Sequence, residues 1–303
     1  HINNQITKDN MVTICKSIQA LRSTIRERVI ATRAKLNVNE PTIGFVPTMG
    51  YLHRGHISLV EQARTRSNIV VASIFVNPTQ FAPTEDLAAY PTDIDNDVRL
   101  LTAANADILF LPPVKEMYGE HASTYVDVAS MDNVSESKAR PGHFRGVATI
   151  VTKLLNIVQP DYMFIGQKDA MQCVCLRRLV NDLAFNTEVV VGDTVREANG
   201  LAMSSRNSYL TQEEREEASA IYRSMSEMRP LAGSLLRNQF INQLQTKIES
   251  SSSKMKVEYI SLASPENGLE ITGDQPLPAS ILSLAVFFHG QNRRTRLIDV
   301  MIL

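Results

Sequence analysis

Apolar residues follow two rhythms over the first two thirds of this chain. Across residues 11–36, Ile14, Ile18, Leu21, Ile25 and Val29 recur every three or four positions. That is the period of a helix with one buried stripe, so a helix is expected over 11–36. Residues 42–46 form a short apolar run that stops at Pro47-Thr48-Met49-Gly50. Residues 57–66 return to the helical period, and residues 69–76 are a Val- and Ile-rich run that breaks at Asn77-Pro78. Strand, turn, helix and strand within roughly 35 residues make a βαβ unit, whose strands are normally parallel. The alternation continues: helical patterns over 97–104, 147–158 and 171–183 are interleaved with apolar runs at 106–111, 162–165 and 188–191. Strands that are apolar throughout, set between amphipathic helices, predict a doubly wound α/β sheet covered on both faces. Such sheets bind ligands beyond the carboxyl ends of their strands, here after Val46, Val76 and Ile165.

Beyond about residue 195 the pattern changes. A charged helix is expected over 211–228, opened by Thr211 and Glu214 at the spacing of a capping box and ended by Pro230. A second helix over 235–250 runs into a serine-rich stretch, and strands are expected at 257–262, 281–288 and 296–303. The expected architecture is a doubly wound parallel sheet domain over 11–194, followed by a smaller C-terminal α+β domain over 195–303.

Composition narrows the classes of function. A chain of 303 residues suits two domains at about 150 residues each. With 44% apolar and 21% charged residues, wholesale disorder is excluded. The 31 Lys and Arg nearly balance the 32 Asp and Glu, and a net charge of -1 argues against a nucleic-acid partner. Three cysteines exclude a disulfide framework and favour a reducing, cytoplasmic setting. No run of about 18 apolar residues predicts a membrane span. Residues 1–10 are polar without the apolar core of a secretion signal, and Met11 is the expected natural start.

The first candidate chemistry lies in Pro47-Thr48-Met49-Gly50-Tyr51-Leu52-His53-Arg54-Gly55-His56, which joins an expected strand to an expected helix. His53 and His56 are three apart and share a face in the first helical turn. A helix N-terminus suits a phosphate, and two imidazoles there can donate to phosphoryl oxygens as negative charge builds. Gly50 and Gly55 allow the backbone to come close. The spacing also suits zinc, but no third ligand stands at a recognisable distance, so no metal site is expected.

The string PTMGYLHRGH resembles the H-I-G-H-type signature of the nucleotidyltransferase superfamily, and at full length that of the pantothenate synthetase (pantoate–β-alanine ligase) family. Four more blocks agree in family order: FVNPTQF from Phe75, RPGHFRG from Arg140, GQKDAMQ from Gly166, and GLAMSSRNSYL from Gly200. The resemblance spans nearly the whole chain. It implies a Rossmann-like domain, ATP, pantoate and β-alanine as substrates, Mg2+ carried mainly on the phosphates, and a cytoplasmic homodimer. The implied reaction couples pantoate to β-alanine through a pantoyl adenylate.

The resemblance also implies roles. His53, His56 and Lys168 become the catalytic groups, acting on the α-phosphoryl group and pyrophosphate. Pro47, Thr48, Met49, Gly50, His53, Gly55 and His56 line ATP, as do Gly166, Lys168, Asp169, Val195, Met203, Ser204, Ser205 and Arg206. Gln80, Gln172 and Arg140 fall on the pantoate and β-alanine side. The residue types fit. Amides of Gln80 and Gln172 can donate and accept for a hydroxy acid. The Lys168 ammonium neutralises phosphoryl charge. Asp169 can accept from ribose hydroxyls or cap the helix that follows it. MSSRN resembles a K-M-S-K-S-type loop, with Arg206 as a bidentate fork for phosphates. Phosphate-side residues fall on both sides of residue 195, so the smaller domain is expected to close over the site.

Other features read as structural. Cys173 and Cys175 lack the C-x-x-C spacing, Arg293, Arg294 and Arg296 belong to an expected strand region, and the acidic run from Glu213 to Glu217 reads as a solvated helix face. Asp95 and Asp97 are candidate magnesium ligands by position alone. Departures from the family pattern stand at Tyr51, Met171, Asp193, Asn199 and Val300, none at a residue assigned to chemistry. A rival from another class, a catalytically dead nucleotide-binding or interaction module, is opposed by the retention of His53, His56, Lys168 and Arg206 together. The nearest rival is another nucleotidyltransferase that keeps its adenylylated product. The paired glutamines, without an extra basic cluster for a second phosphate, argue against it.

Overall fold

The computed structural model describes residues 11–82, 85 and 87–303; the expectation placed on residues 1–10 lies outside them. In chain order the helices and strands are β1 (Thr13–Cys15), α1 (Ile18–Leu36), β2 (Ile43–Thr48), α2 (Arg54–Arg66), β3 (Ile69–Ile74), α3 (Ile94–Ala103), β4 (Ile108–Phe110), α4 (Val114–Met117), α5 (Ser135–Ala139), α6 (His143–Val158), β5 (Tyr162–Gly166), α7 (Ala170–Asp182), β6 (Glu188–Gly192), α8 (Gln212–Ala218), α9 (Ala220–Met228), α10 (Arg237–Ser251), β7 (Met255–Ala263), β8 (Ile281–His289) and β9 (Arg294–Ile302). Contacts group them into two units. One runs to Asp127 and adds Arg145–Ile165 and Leu176–Gly192; the other comprises Val128–Phe144, Gly166–Cys175 and Asp193–Leu303.

The first unit is built on a six-stranded sheet of order β1-β4-β3-β2-β5-β6. The pairs β1–β4, β4–β3, β3–β2 and β2–β5 are parallel. From β2 the chain steps outward to β3 and β4 on one side, then returns to β5 and β6 on the other. The direction of winding therefore reverses beside β2, and the carboxyl end of β2 is where such a sheet offers a crevice. All six positions of β3 are buried, which explains why its sequence IVVASI shows no alternation. Val46, Val70, Ala72 and Leu109 from the strands pack with Leu59, Val60 and Ala63 of α2 and Leu101 of α3. Each large apolar side chain among them contributes about 1.5–3 kcal/mol on burial.

The second unit carries a three-stranded antiparallel sheet, β7-β8-β9, with β8 central. Leu282, Leu284, Val286 and Phe288 recur every second residue along β8 and share one core with Met225 of α9 and Phe240 and Leu244 of α10. Ile281 and Val300 face the other way and pack on Ala170 and Val174 of α7.

Two expected helices differ in the structure. The helix expected over 11–36 begins only at Ile18, capped by the Ser17 hydroxyl, which accepts from the Ala20 N–H. Its first residues form β1 instead, pairing Thr13 with Ile108 and Cys15 with Phe110. Ile14, counted in the helical stripe, is 43% exposed. The helix expected over 211–228 is interrupted locally at Ser219, whose hydroxyl donates to the Glu216 carbonyl, while its N–H still bonds the Arg215 carbonyl and its own carbonyl accepts from Arg223. The capping box at its start is present, with Thr211 and Glu214 each accepting the other's backbone N–H.

Candidate active site

The turn after β2 is held by its own polar atoms. Thr48 donates its hydroxyl to the Ser73 carbonyl at 2.7 Å and accepts from the Gly50 N–H at 3.2 Å. Gly50 has φ +84, and a Cβ there would meet the Ile74 side chain at 2.8 Å, so glycine is required. Tyr51 follows at φ 51, also left-handed. What fixes this strained pair is Asp97 of α3. Its two carboxylate oxygens accept the N–H groups of Tyr51 and Leu52, at 2.8 and 2.7 Å. Asp97 is fully buried, and burial raises its carboxyl pKa while the two N–H bonds pull it back.

The chain then enters α2 through a histidine cap. Nδ1 of His53 accepts from the Gly55 N–H at 3.1 Å, and Nδ1 of His56 reaches back to accept from the His53 N–H at 3.3 Å. This is the reciprocal logic of a capping box, performed by two imidazoles. With Nδ1 accepting in each, the proton of each neutral ring sits on Nε2. The rings lie 4.0 Å apart with a 35° tilt. The pair thus shares a face, as the spacing predicts, and stands at the positive end of a 13-residue helix.

Gln80 lies in a single helical turn, Pro78–Gln80, and is buried. Its Nε2 donates to Met49 Sδ at 3.3 Å, which joins the FVNPTQF block to the turn after β2. Its Oε1 accepts from Asn77 Nδ2 at 2.9 Å. Asn77 is a hub, although its sequence context marks it only as a strand terminator. It also donates to the Gly146 carbonyl at 3.2 Å and accepts from Thr79 and from the Tyr118 hydroxyl at 2.8 Å. Gly146 of α6 meets this turn so closely that an added Cβ would lie 2.6 Å from the Thr79 carbonyl carbon and 2.7 Å from Gln80 Cα. The bonds from Asn77 to Gly146 and Tyr118, and the close approach of Gly146, leave no local mark, because each joins residues far apart in the chain.

The remaining candidates belong to the second unit. Asp169 directly precedes α7, and its carbonyl accepts from the Cys173 N–H, so its backbone opens the helical ladder. Gln172 is the third residue of α7, and Cys173 and Cys175 are both buried. Lys168 donates from Nζ to the Met203 carbonyl at 3.2 Å, which brings the GQKDAMQ and MSSRN blocks together. Met203 in turn donates its N–H to the Val195 carbonyl at 3.0 Å. Ser204 accepts the Arg206 N–H on its hydroxyl and starts a short 3-10 turn, Ser205–Tyr209, in a segment whose sequence reads as loop.

Arg140 is buried at 9% exposure and meets Glu136 at 3.2 Å and His143 Nε2 at 3.0 Å. Glu136 belongs to a buried charge network. Burial raises its carboxyl pKa, Arg140 and Arg296 pull it down, and the Asp169 carboxylate pushes it up again. Arg296, counted above among structural residues, pairs with Glu258 at 2.7 Å. Among the described residues, no three His, Cys, Asp or Glu side chains gather as a metal cage.

A sequence profile described as pantoate-beta-alanine ligase matches residues 13–302. The chain belongs to the pantoate–β-alanine ligase family. A pantoate–β-alanine ligase of Dictyostelium discoideum is 51% identical over 296 residues, covering 96% of this chain and 98% of that protein. A pantothenate synthetase of Herpetosiphon aurantiacus is 46% identical, covering 86% and 93%. Among solved structures, pantothenate synthetase from Thermus thermophilus superposes with a TM-score of 0.83 at 38% identity, over 96% of this chain and 99% of that one. The Francisella tularensis pantoate–β-alanine ligase, described as complexed with β,γ ATP and β-alanine, gives 0.76 at 34% identity, over 96% and 97%. The family match begins at the first residue of β1 and ends at the last of β9, so both sheets belong to it.

Proposed function

We propose that this chain is an AMP-forming ligase that uses ATP to condense pantoate with β-alanine. A pantoate carboxylate oxygen attacks the α-phosphorus of ATP, forming pantoyl adenylate and expelling pyrophosphate. The β-alanine amine then attacks the acyl carbon; AMP leaves with the bonding pair and the amine gives up a proton. The substrates carry their own nucleophiles, so the protein's work is positioning and charge stabilisation. The observation that carries this reading is the imidazole capping box of α2, which holds two Nε2–H donors at a helix N-terminus beside the sheet's point of reversal.

In this reading His53, His56 and Lys168 act on the α-phosphoryl group and pyrophosphate. The turn from Pro47 to His56 takes the nucleotide with Gly166, Asp169, Val195 and the Met203–Arg206 segment. Gln80 and Gln172 hold pantoate, and Arg140 serves the substrate side. Magnesium enters as part of the substrate, carried by phosphate oxygens. Asp97 is fully buried with each oxygen accepting a backbone N–H, and in this reading it anchors the turn rather than the metal. A cytoplasmic homodimer accords with the family resemblance, and no helix among the described residues is long and apolar enough to cross a membrane.

The test is isotope exchange between pyrophosphate and ATP. Exchange should require pantoate, and AMP should accumulate on adding β-alanine. Exchange that proceeds equally without pantoate would sink the reading in favour of another nucleotidyltransferase.

One further expectation concerns the turn itself. Asp97→Asn presents an NH2 group to one of two N–H donors and loosens Tyr51 and Leu52 just ahead of His53. A misplacement of about 1 Å can cost about 10²-fold, so pantoate-dependent exchange should fall on that order. An Asp97→Asn enzyme that exchanges at the native rate would show that the turn holds without this carboxylate.

A further inference from the structure

Arg196 is bound on every side. Its Nη1 donates to Asp299 Oδ2 at 2.7 Å and to the Gly200 carbonyl at 3.1 Å. Its Nη2 donates to Asp299 Oδ1 at 2.8 Å and to the Val300 carbonyl at 3.2 Å. The guanidinium also stacks over the Tyr222 ring at 3.7 Å. Asp299, on β9, is 3% exposed, and burial raises its carboxyl pKa against the pull of Arg196 and Lys168.

This two-toothed pair ties a small hairpin to the antiparallel sheet. Arg196 bridges to Ala202, Glu197 donates its N–H to the Leu201 carbonyl at 2.8 Å, and Met203 closes on Val195. The second arm of the hairpin runs on into the Met203–Arg206 segment, and its Met203 carbonyl receives Lys168. Asn207 donates to the Glu197 carboxylate at 2.8 Å and to the Ala202 carbonyl, so the turn after Ser205 hangs on the same hairpin. The ion pair is thus linked through the hairpin both to Lys168 and to the Met203–Arg206 segment.

A buried ion pair is a weak source of net stability, because desolvation offsets attraction. It is a strong source of register, since a bidentate Arg–carboxylate pair accepts one geometry. We propose that Arg196 and Asp299 are positioning residues for adenylate formation: they hold Lys168 and the Met203–Arg206 segment in the geometry that meets the triphosphate, without touching it. This rests on the ligase reading above, and extends it to two residues outside the motif's contact set.

The test separates the half-reactions. Arg196→Met combined with Asp299→Leu removes both buried charges together, the change that buried ion pairs tolerate best. Single-turnover formation of pantoyl adenylate should slow by about tenfold or more, while aminolysis of supplied pantoyl adenylate by β-alanine stays within about threefold of native. Arg196→Lys, which keeps the charge but loses the fork, should fall between the two. Adenylation within about threefold of native in the double variant would overturn the proposal, as would an equal slowing of both half-reactions. If the double variant does not fold, Arg196→Lys decides on the same two rates. A native enzyme lacking pantoate-dependent exchange would instead overturn the ligase reading, and this proposal with it.

Discussion

Lys168→Ala should slow adenylate formation by about 10²–10³-fold and leave the fold in place. Lys168 is a partly buried ammonium whose one described hydrogen bond goes to the Met203 carbonyl. Losing that charge-assisted bond costs about 1.5–3 kcal/mol, within the stability of an ordinary domain. The catalytic loss is larger in kind. As pyrophosphate departs, negative charge grows on its oxygens, and a fixed cation gains most in that state. Removing one such stabilising group typically costs about 10²–10³ in rate. A single-turnover assay with pantoate and labelled ATP reads the step directly. Lys168→Arg should restore only part of the rate, because a planar fork does not place charge where a flexible ammonium does. Near-native adenylation by Lys168→Ala would remove Lys168 from the chemistry.

Gly146→Ala is expected to damage both stability and pantoate use, although on propensity alone it should help. Alanine in place of glycine inside a helix gains about 0.5–1 kcal/mol. Against that stands a Cβ at 2.6 Å from the Thr79 carbonyl carbon and 2.7 Å from Gln80 Cα. These are backbone atoms, so no side chain can swing aside. Overpacking of this kind costs about 1–3 kcal/mol and exceeds the propensity gain. The displaced segment carries Gln80 and lies on the Asn77 hub, which is itself bonded to the Gly146 carbonyl. A lower denaturant midpoint together with a raised KM for pantoate is the expected pair of results. A more stable variant with native KM would show that α6 can retreat without disturbing Gln80.

The sheet was legible in the sequence because its strands advertise themselves over several consecutive residues. β3 is apolar from Ile69 to Ile74 apart from Ser73, and every position is buried. β1 was not legible. Three residues are too few to show alternation, and what makes Thr13–Cys15 a strand is pairing with Ile108–Phe110, far along the chain. The same reason hid Asp97. Its spacing within α3 is unremarkable, and its importance lies in two N–H groups more than forty residues earlier. The cap built by His53 and His56 was legible because its bonds are local, from Gly55 two residues on and from His53 three residues back. Arg196 and Asp299, about a hundred residues apart, could be joined only by the fold.

The cap on α2 has a consequence for how this enzyme can change. The residues that best start helices are Ser, Thr, Asp and Asn, whose short side chains accept an N–H and end there. An imidazole is a poorer choice on that scale, but it has a second nitrogen on the far side of the ring. Here the near nitrogen anchors the helix and the far one carries the ring's proton, so under the proposed mechanism one ring serves the scaffold and the chemistry together. A substitution that improved the cap would delete the donor, and one that loosened the first turn would swing both donors off line. Selection for a more rigid helix start and selection for turnover therefore pull on the same two rings, and the site has no route to thermal hardening through its own cap.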